Sequence, residues 1–156
     1  MIRIGLISDT HGLLRPEALA LLRGSDFIVH AGDIGEHVLE PLATLAPVTA
    51  VRGNNDRAPW ARAIAPSETL RFGEITLHAL HDLHDLAIDP AAAGVDVVVS
   101  GHSHRPRVER RSGVLYVNPG SAGPVRFRLP VSVGLLQVTG RTVEARIVEL
   151  ESLRTA

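Results

Sequence analysis

Five short apolar runs in this chain each stop at side chains that bind metals, and that recurrence limits the folds open to it. Residues 2–8, apolar apart from Arg3, Gly5 and the closing Ser8, lead into Asp9-Thr10-His11-Gly12. Residues 27–29 lead into His30-Ala31-Gly32-Asp33, and residues 48–51 into Arg52-Gly53-Asn54-Asn55-Asp56. Residues 75–80 lead into His81-Asp82-Leu83-His84-Asp85. Residues 95–99, all valine but for Asp96, lead into Ser100-Gly101-His102-Ser103-His104-Arg105-Pro106. A short apolar run reads as a buried strand, and ligand groups in open α/β sheets gather beyond the carboxyl ends of the strands. Gly12, Gly32, Gly53 and Gly101 let the backbone turn tightly, so that neighbouring side chains face a common centre. Any one of these ends is explained as a turn or a helix cap. Five together are not.

Between these ends the chain alternates. Residues 16–23 form a helix with Pro16 at its start and Gly24 at its close. Residues 38–45 form a second, despite Pro41. Residues 69–72 and 75–80 make a hairpin about Phe72-Gly73-Glu74. A short helix is expected over 88–93 and a strand over 96–99. Strands follow over 107–110, 114–117, 131–138 and 142–150, and the last few residues are expected to fray. The front half therefore reads βαβαβ, and the back half as mostly antiparallel β. At 156 residues, one domain over 1–156 is expected.

Composition closes off several functions. Net charge is −1, which speaks against a strongly basic nucleic-acid binder and against a polybasic membrane-surface protein. The absence of cysteine excludes thiolate chemistry and Cys-rich zinc sites. All 16 basic residues are arginine, which excludes mechanisms that need a lysine. There is no signal-like N-terminus and no run of membrane-spanning length. A cytoplasmic protein without a membrane partner is expected.

Carboxylates, an amide oxygen and imidazoles, with no thiolate, suit Mn²⁺, Fe, Ni²⁺ or Zn²⁺. The ligand-type groups are too many for one ion. Because a carboxylate has two oxygens and can bridge, two ions about 3.5–4 Å apart would use the set. His30 sits in an apolar run and is read as a hydrogen-bonded structural histidine, and His37 as an exposed one.

Asp9-Thr10-His11, Gly32-Asp33, Gly53-Asn54-Asn55-Asp56, a later histidine and Gly101-His102-Ser103-His104 resemble the calcineurin-like metallophosphoesterase superfamily. The motifs stand in the family's order over residues 9–104. Chain length and Asn118-Pro119-Gly120-Ser121 are similar to its small bacterial and archaeal phosphodiesterase branch. The resemblance implies a four-layer αββα sandwich of two mixed sheets flanked by helices. It implies two divalent ions, Mn²⁺ foremost, with Asp9, His11 and His104 on one, Asn54, His81 and His102 on the other, and Asp33 bridging. A hydroxide shared by the ions would attack phosphorus in line with the leaving oxygen. Asn54 and Asp56 are expected among the catalytic residues, and Asn55 and Arg57 in contact with substrate.

Two positions depart from the family's pattern. Where many members carry Gly-Asn-His-(Asp/Glu), with a histidine thought to protonate the leaving group, this chain has Asn55. The small phosphodiesterase branch lacks that histidine too. Where members often show His-Gly-His, this chain has His81-Asp82-Leu83-His84. His81 is chosen because it directly follows the strand, with His84 as runner-up. The leading function is thus a two-metal phosphodiesterase acting on a small phosphodiester. Two alternatives stand beside it. One is a non-catalytic protein-interaction scaffold on the same fold, as in the eukaryotic retromer. The other is a phosphomonoesterase or protein phosphatase, against which Asn55 and the absence of long insertions speak. Arg105, Arg107, Arg110 and Arg111 read first as a solvated edge strand, with a nucleic-acid groove as the alternative; nucleic acid is a possible partner but is not indicated. The sequence leaves the oligomeric state, including a homo-oligomer, open.

Overall fold

The computed structural model describes residues 1–126 and 128–150. Its strands are β1 (Ile2–Ile7), β2 (Phe27–His30), β3 (Val48–Ala50), β4 (Ser67–Phe72), β5 (Ile75–Leu80), β6 (Val97–Val99), β7 (Arg107–Arg111), β8 (Val114–Asn118), β9 (Ser132–Thr139) and β10 (Thr142–Glu149). Helix α1 (Pro16–Leu22) joins β1 to β2, and α2 (Leu39–Ala43) joins β2 to β3. Single 3₁₀ turns stand at Pro59–Ala61 and Leu83–Asp85.

The strands form two five-stranded sheets, in the orders β10-β9-β1-β2-β3 and β4-β5-β6-β8-β7. Side chains alternate across each strand. Ile4 and Leu6 therefore meet Leu77, Ala79, Val97 and Val99 between the sheets, while Ile7 and Ile28 meet Leu22 of α1 and Leu42 of α2 on the other side. The outer face of the second sheet carries Leu80, Val95, Val98 and Val114, with Leu86 and Tyr116 packed on them. The molecule is an α/β sandwich of two mixed sheets. Its outermost layer on the second sheet is thin, built from the Leu83–Asp85 turn and the chain after it rather than from an α-helix. No helix among the described residues is long and apolar enough to cross a membrane.

This architecture departs from the sequence reading in one element. The helix expected over 88–93 is a turn: Ala93 N–H reaches Asp89 C=O, Val95 N–H reaches Pro90 C=O, and Gly94, at φ +76°, ends the coil. The back half is mostly antiparallel, as read, with β5, β6 and β8 as its parallel exception. The β9–β10 hairpin leaves the second sheet and pairs with β1 in the first. The expected fraying of the last residues falls outside the described residues, beyond Leu150.

The topology positions a site. β1, β2 and β3 are parallel neighbours, and so are β5 and β6. Their carboxyl ends converge: Asp9 N–H donates to Gly32 C=O, His11 N–H to Asp33 C=O, and Gly101 N–H to His81 C=O.

Candidate metal centre

The loops at these strand ends are strained at the residues singled out for metal binding. Asp9 (φ 55°), His11 (47°), Asp33 (55°), His102 (70°) and His104 (63°) all hold the left-handed conformation. Side chains other than glycine adopt it rarely, and such residues cluster at functional sites. The strain thus lies in the candidate ligands themselves. Gly53 and Gly101 serve another purpose. Their φ is not positive, but a Cβ on Gly53 would collide with Asp33, and one on Gly101 with Ser8 Oγ and Asp9 Oδ2. These two glycines give room rather than a turn.

Asp9, fully buried, is the hub. Its Oδ2 accepts the Ser8 hydroxyl at 2.7 Å and the His102 N–H at 3.1 Å. Its Oδ1 faces His104 Nε2 at 3.4 Å, His81 Nε2 at 3.8 Å and His11 Nε2 at 3.9 Å. Asp33 Oδ2 approaches His81 Nε2 at 3.3 Å and His11 Nε2 at 3.8 Å. Two groups of ligand atoms result, Asp9–His11–His104 and Asp9–Asp33–His81. The carboxylate common to both is Asp9, with Asp33 touching a member of each.

Asp9 Oδ1, His11 Nε2, His81 Nε2 and His104 Nδ1 are buried with no hydrogen-bond partner among the described residues. An unpaired buried polar atom costs about 1–3 kcal/mol, so Asp9 Oδ1, His11 Nε2 and His81 Nε2, which lie together with His104 Nε2, need a partner. Atoms bound at about 2.1 Å to one ion lie roughly 3–4 Å apart, which is the spacing seen here. The donors are oxygen and nitrogen only. The residues therefore fit divalent metal.

The electrostatics favour a cation as well. Burial alone would raise the pKa of Asp33. The close approach of His81, the Asn55 N–H and the charges of His81 and His11 outweigh it and hold the carboxyl at about 2. Burial pushes His81 down, but Asp33, Asp9 and the Ala31 carbonyl carry it above its ordinary value. At His104 burial prevails over Asp9, and the ring is held below.

The remaining candidates fall in different places. His81 is buried, and its Nδ1 is fixed by Ala31 C=O at 2.8 Å. His84 is 93% exposed and turns to Asp82 at 3.0 Å. His102 is half exposed beside His81, ring centres 5.2 Å apart, with Nε2 3.7 Å from Asp82. Asn54 is exposed on the rim of the same cavity as His81 and His102. Asp56 is turned away from it. Its carboxylate accepts N–H groups from Ile34, Gly35 and Gly53 at 2.9–3.3 Å. Its oxygens tie the Asp33 loop to the Asn54 loop. Asn55 is also spent internally, its backbone N–H and side-chain amide both donating to Asp33, at 2.9 and 3.1 Å. Arg57 Nε donates to Asn54 C=O.

Sequence reasoning passed over Ser8, whose only signal was a hydroxyl where a strand ended. It used Asn118-Pro119-Gly120-Ser121 only as a mark of resemblance. Asn118 amide donates to Gly101 C=O and Ser103 Oγ, and Ser121 Oγ donates to Asp9 C=O. The motif braces two metal loops from behind. His30 is structural, as read. Gly32 N–H donates to its Nδ1, so Nε2 carries the proton and donates to Thr10, whose hydroxyl donates to Ile34 C=O.

Comparison with known proteins agrees with this geometry. Residues 2–141 match the family model of the calcineurin-like phosphoesterase superfamily domain. A probable metallophosphoesterase of Methanothermobacter thermautotrophicus is 36% identical, over 93% of this chain and 91% of the relative. Phosphodiesterase YfcE of Escherichia coli K12 is 29% identical, over 87% and 88%. Vacuolar Protein Sorting 29 from Cryptosporidium parvum superposes with a TM-score of 0.81 at 23% identity, over 96% of this chain and 91% of that one, a likeness of fold. The chain belongs to the calcineurin-like phosphoesterase superfamily and is a metal-dependent phosphoester hydrolase.

Proposed function

We propose that this chain is a phosphodiesterase that works with two divalent ions, Mn²⁺ foremost. The observation that carries the reading is the convergence of His11 Nε2, His81 Nε2 and His104 Nε2 on Asp9 Oδ1, of which Asp9 Oδ1, His11 Nε2 and His81 Nε2 have no hydrogen-bond partner among the described residues. Asp9, His11 and His104 would hold one ion, and Asp33, Asn54, His81 and His102 the other, with Asp9 and Asp33 between them. Bound there, divalent ions lower the pKa of water and neutralise phosphoryl oxygens.

The chain's own residues do the rest. Ser8 and the His102 N–H occupy Asp9 Oδ2, which leaves Oδ1 to face inward. Asn55 and Asp56 fix Asp33 and its loop. Asn55 supplies no proton to a leaving oxygen, because an amide donates only a hydrogen bond and this one is committed to Asp33. General-acid help is worth about 10²–10⁴ in rate, so esters that need none are favoured. With Mn²⁺ bound, bis(p-nitrophenyl) phosphate should be cleaved faster than p-nitrophenyl phosphate, and far faster than a dialkyl phosphate. Full activity in chelator-treated protein, or a preference for the monoester, would overturn the reading.

A further inference from the structure

The thin outer layer leaves an opening beside the metal centre. A cavity of about 240 Å³ lies between the Leu83–Asp85 turn, the His102–Ser103 loop and strands β7 and β8. In the β7–β8 register Arg107 stands opposite Asn118, Glu109 opposite Tyr116 and Arg111 opposite Val114. Alternate residues share a face, so Arg107, Glu109 and Arg111 line the cavity together. Arg107 and Arg111 both donate to Glu109 Oε2, at 2.5 and 3.0 Å, and so share one carboxylate. The Arg111 guanidinium lies 5.2 Å from the centre of the Tyr116 ring. Arg105 adds a third cation, so arginine outnumbers the lining carboxylates of Glu109 and Asp82.

A second cavity, of about 380 Å³, lies on the other side of the same residues. Pro66, Leu80 and Ile88 give it apolar walls, and Asp82 and Asp85 outnumber Arg52. Asp82 and His102 line both cavities. The two spaces therefore meet at Asp82 and His102 beside the metal centre, one basic with a planar aromatic wall, the other mildly acidic. Charged side chains on an edge strand guard it against pairing with other chains. That purpose does not require three arginines about a cavity that adjoins the site.

We propose that the two cavities receive the two arms of a phosphodiester, and that the Arg105–Arg107–Arg111 cavity takes an arm carrying a phosphate of its own. The proposal rests on the phosphodiesterase reading above. Guanidinium forks match phosphate oxygens, and the Tyr116–Arg111 wall offers a flat surface to a ring on the same arm. The substrate class is nucleotide-like: a diester whose one side bears a second phosphate and whose other side is uncharged.

A matched pair of esters separates the two claims. Thymidine 3′-phosphate 5′-(p-nitrophenyl phosphate) and thymidine 5′-(p-nitrophenyl phosphate) release the same nitrophenolate and differ only in the extra phosphate. With Mn²⁺ at low ionic strength, the ratio of their kcat/KM values should exceed one. In Arg105→Gln/Arg107→Gln that ratio should fall about tenfold, as expected for lost charge-assisted hydrogen bonds. Arg141→Gln, in the β9–β10 turn, should leave it unchanged. In metal-free protein, thymidine 3′,5′-bisphosphate should shift the amide resonances of Arg107 and Tyr116, and fail to do so in the double variant. A wild-type ratio of one, an equal loss on both esters, or no shift at these amides overturns the subsite. If neither ester is cleaved by Mn²⁺-loaded protein, the phosphodiesterase reading fails instead, and the amide shifts alone decide whether the cavity binds phosphate.

Discussion

At the scale of single residues, burial separates ligands from bystanders. His81 and His84 follow the same strand three positions apart. One has its Nε2 sealed between two carboxylates, while the other stands in solvent. His81→Ala should therefore bind one Mn²⁺ fewer than the native protein in a titration followed by elemental analysis, and His84→Ala should bind as many as native. The reverse order would move the ligand to His84. His30 makes a different argument, from pH. Burial, and then the positive charge of His81, holds its pKa down at about 3, against an ordinary 6.5. The unfolded chain therefore takes up a proton that the folded chain refuses. Its contribution to stability is complete above about pH 6.5 and is lost as pH falls toward 3, at about 1.4 kcal/mol per unit. Metal-free His30→Gln should be less stable than native at pH 7, by about 1–3 kcal/mol for the broken Gly32–His30–Thr10 chain. Its urea midpoint should then decline less between pH 7 and pH 5. Parallel declines would show that His30 is not the group that titrates.

At the scale of elements, strands and their ends were legible and the layers above them were not. Apolar runs closed by Gly and Asp announce buried parallel strands whatever surrounds them, so β1, β2, β3, β5 and β6 could be read from local sequence. The partner of β9 could not, because the alternation of Val133 and Leu135 with their neighbours fits the edge of either sheet; only pairing with β1 decides it. The run after Asp89 has helix-forming alanines, but Asp89 and Gly94 close it after one turn. The roles of Asn55 and Asp56 were hidden for a related reason. Their type suggested chemistry, whereas their hydrogen bonds go to a loop distant in sequence. Gly101 tests how tightly the β6 end is fitted to β1. Gly101→Ala should keep the far-UV spectrum and yet bind Mn²⁺ at least tenfold more weakly, since its methyl group displaces Ser8 and Asp9. Native affinity in that variant would mean that the two loops are free to part.

For the molecule as a whole, the metal centre is where the two sheets are tied together. Asp9, His11 and Asp33 come from the first sheet, and His81, His102 and His104 from the second. Every one of them except His81 also holds a left-handed backbone. Without an ion the folded protein carries that strain, of order 1 kcal/mol or more per residue, together with the unpartnered buried donors. The unfolded chain carries neither, so an ion that binds only the native arrangement stabilises the fold by mass action. At a free concentration 100 times its Kd, one ion contributes about 2.7 kcal/mol. For a chain of this length each kcal/mol raises Tm by about 2–4 °C. Saturating Mn²⁺ should therefore lift the melting temperature of chelator-treated protein by about 5–10 °C for the tighter site alone, and further if a second ion binds. Asp9→Asn, which weakens the carboxylate common to both groups, should melt nearly independently of Mn²⁺. Superimposable native melts with and without Mn²⁺, in protein that still takes up the ion, would place the metal somewhere other than the junction of the two sheets.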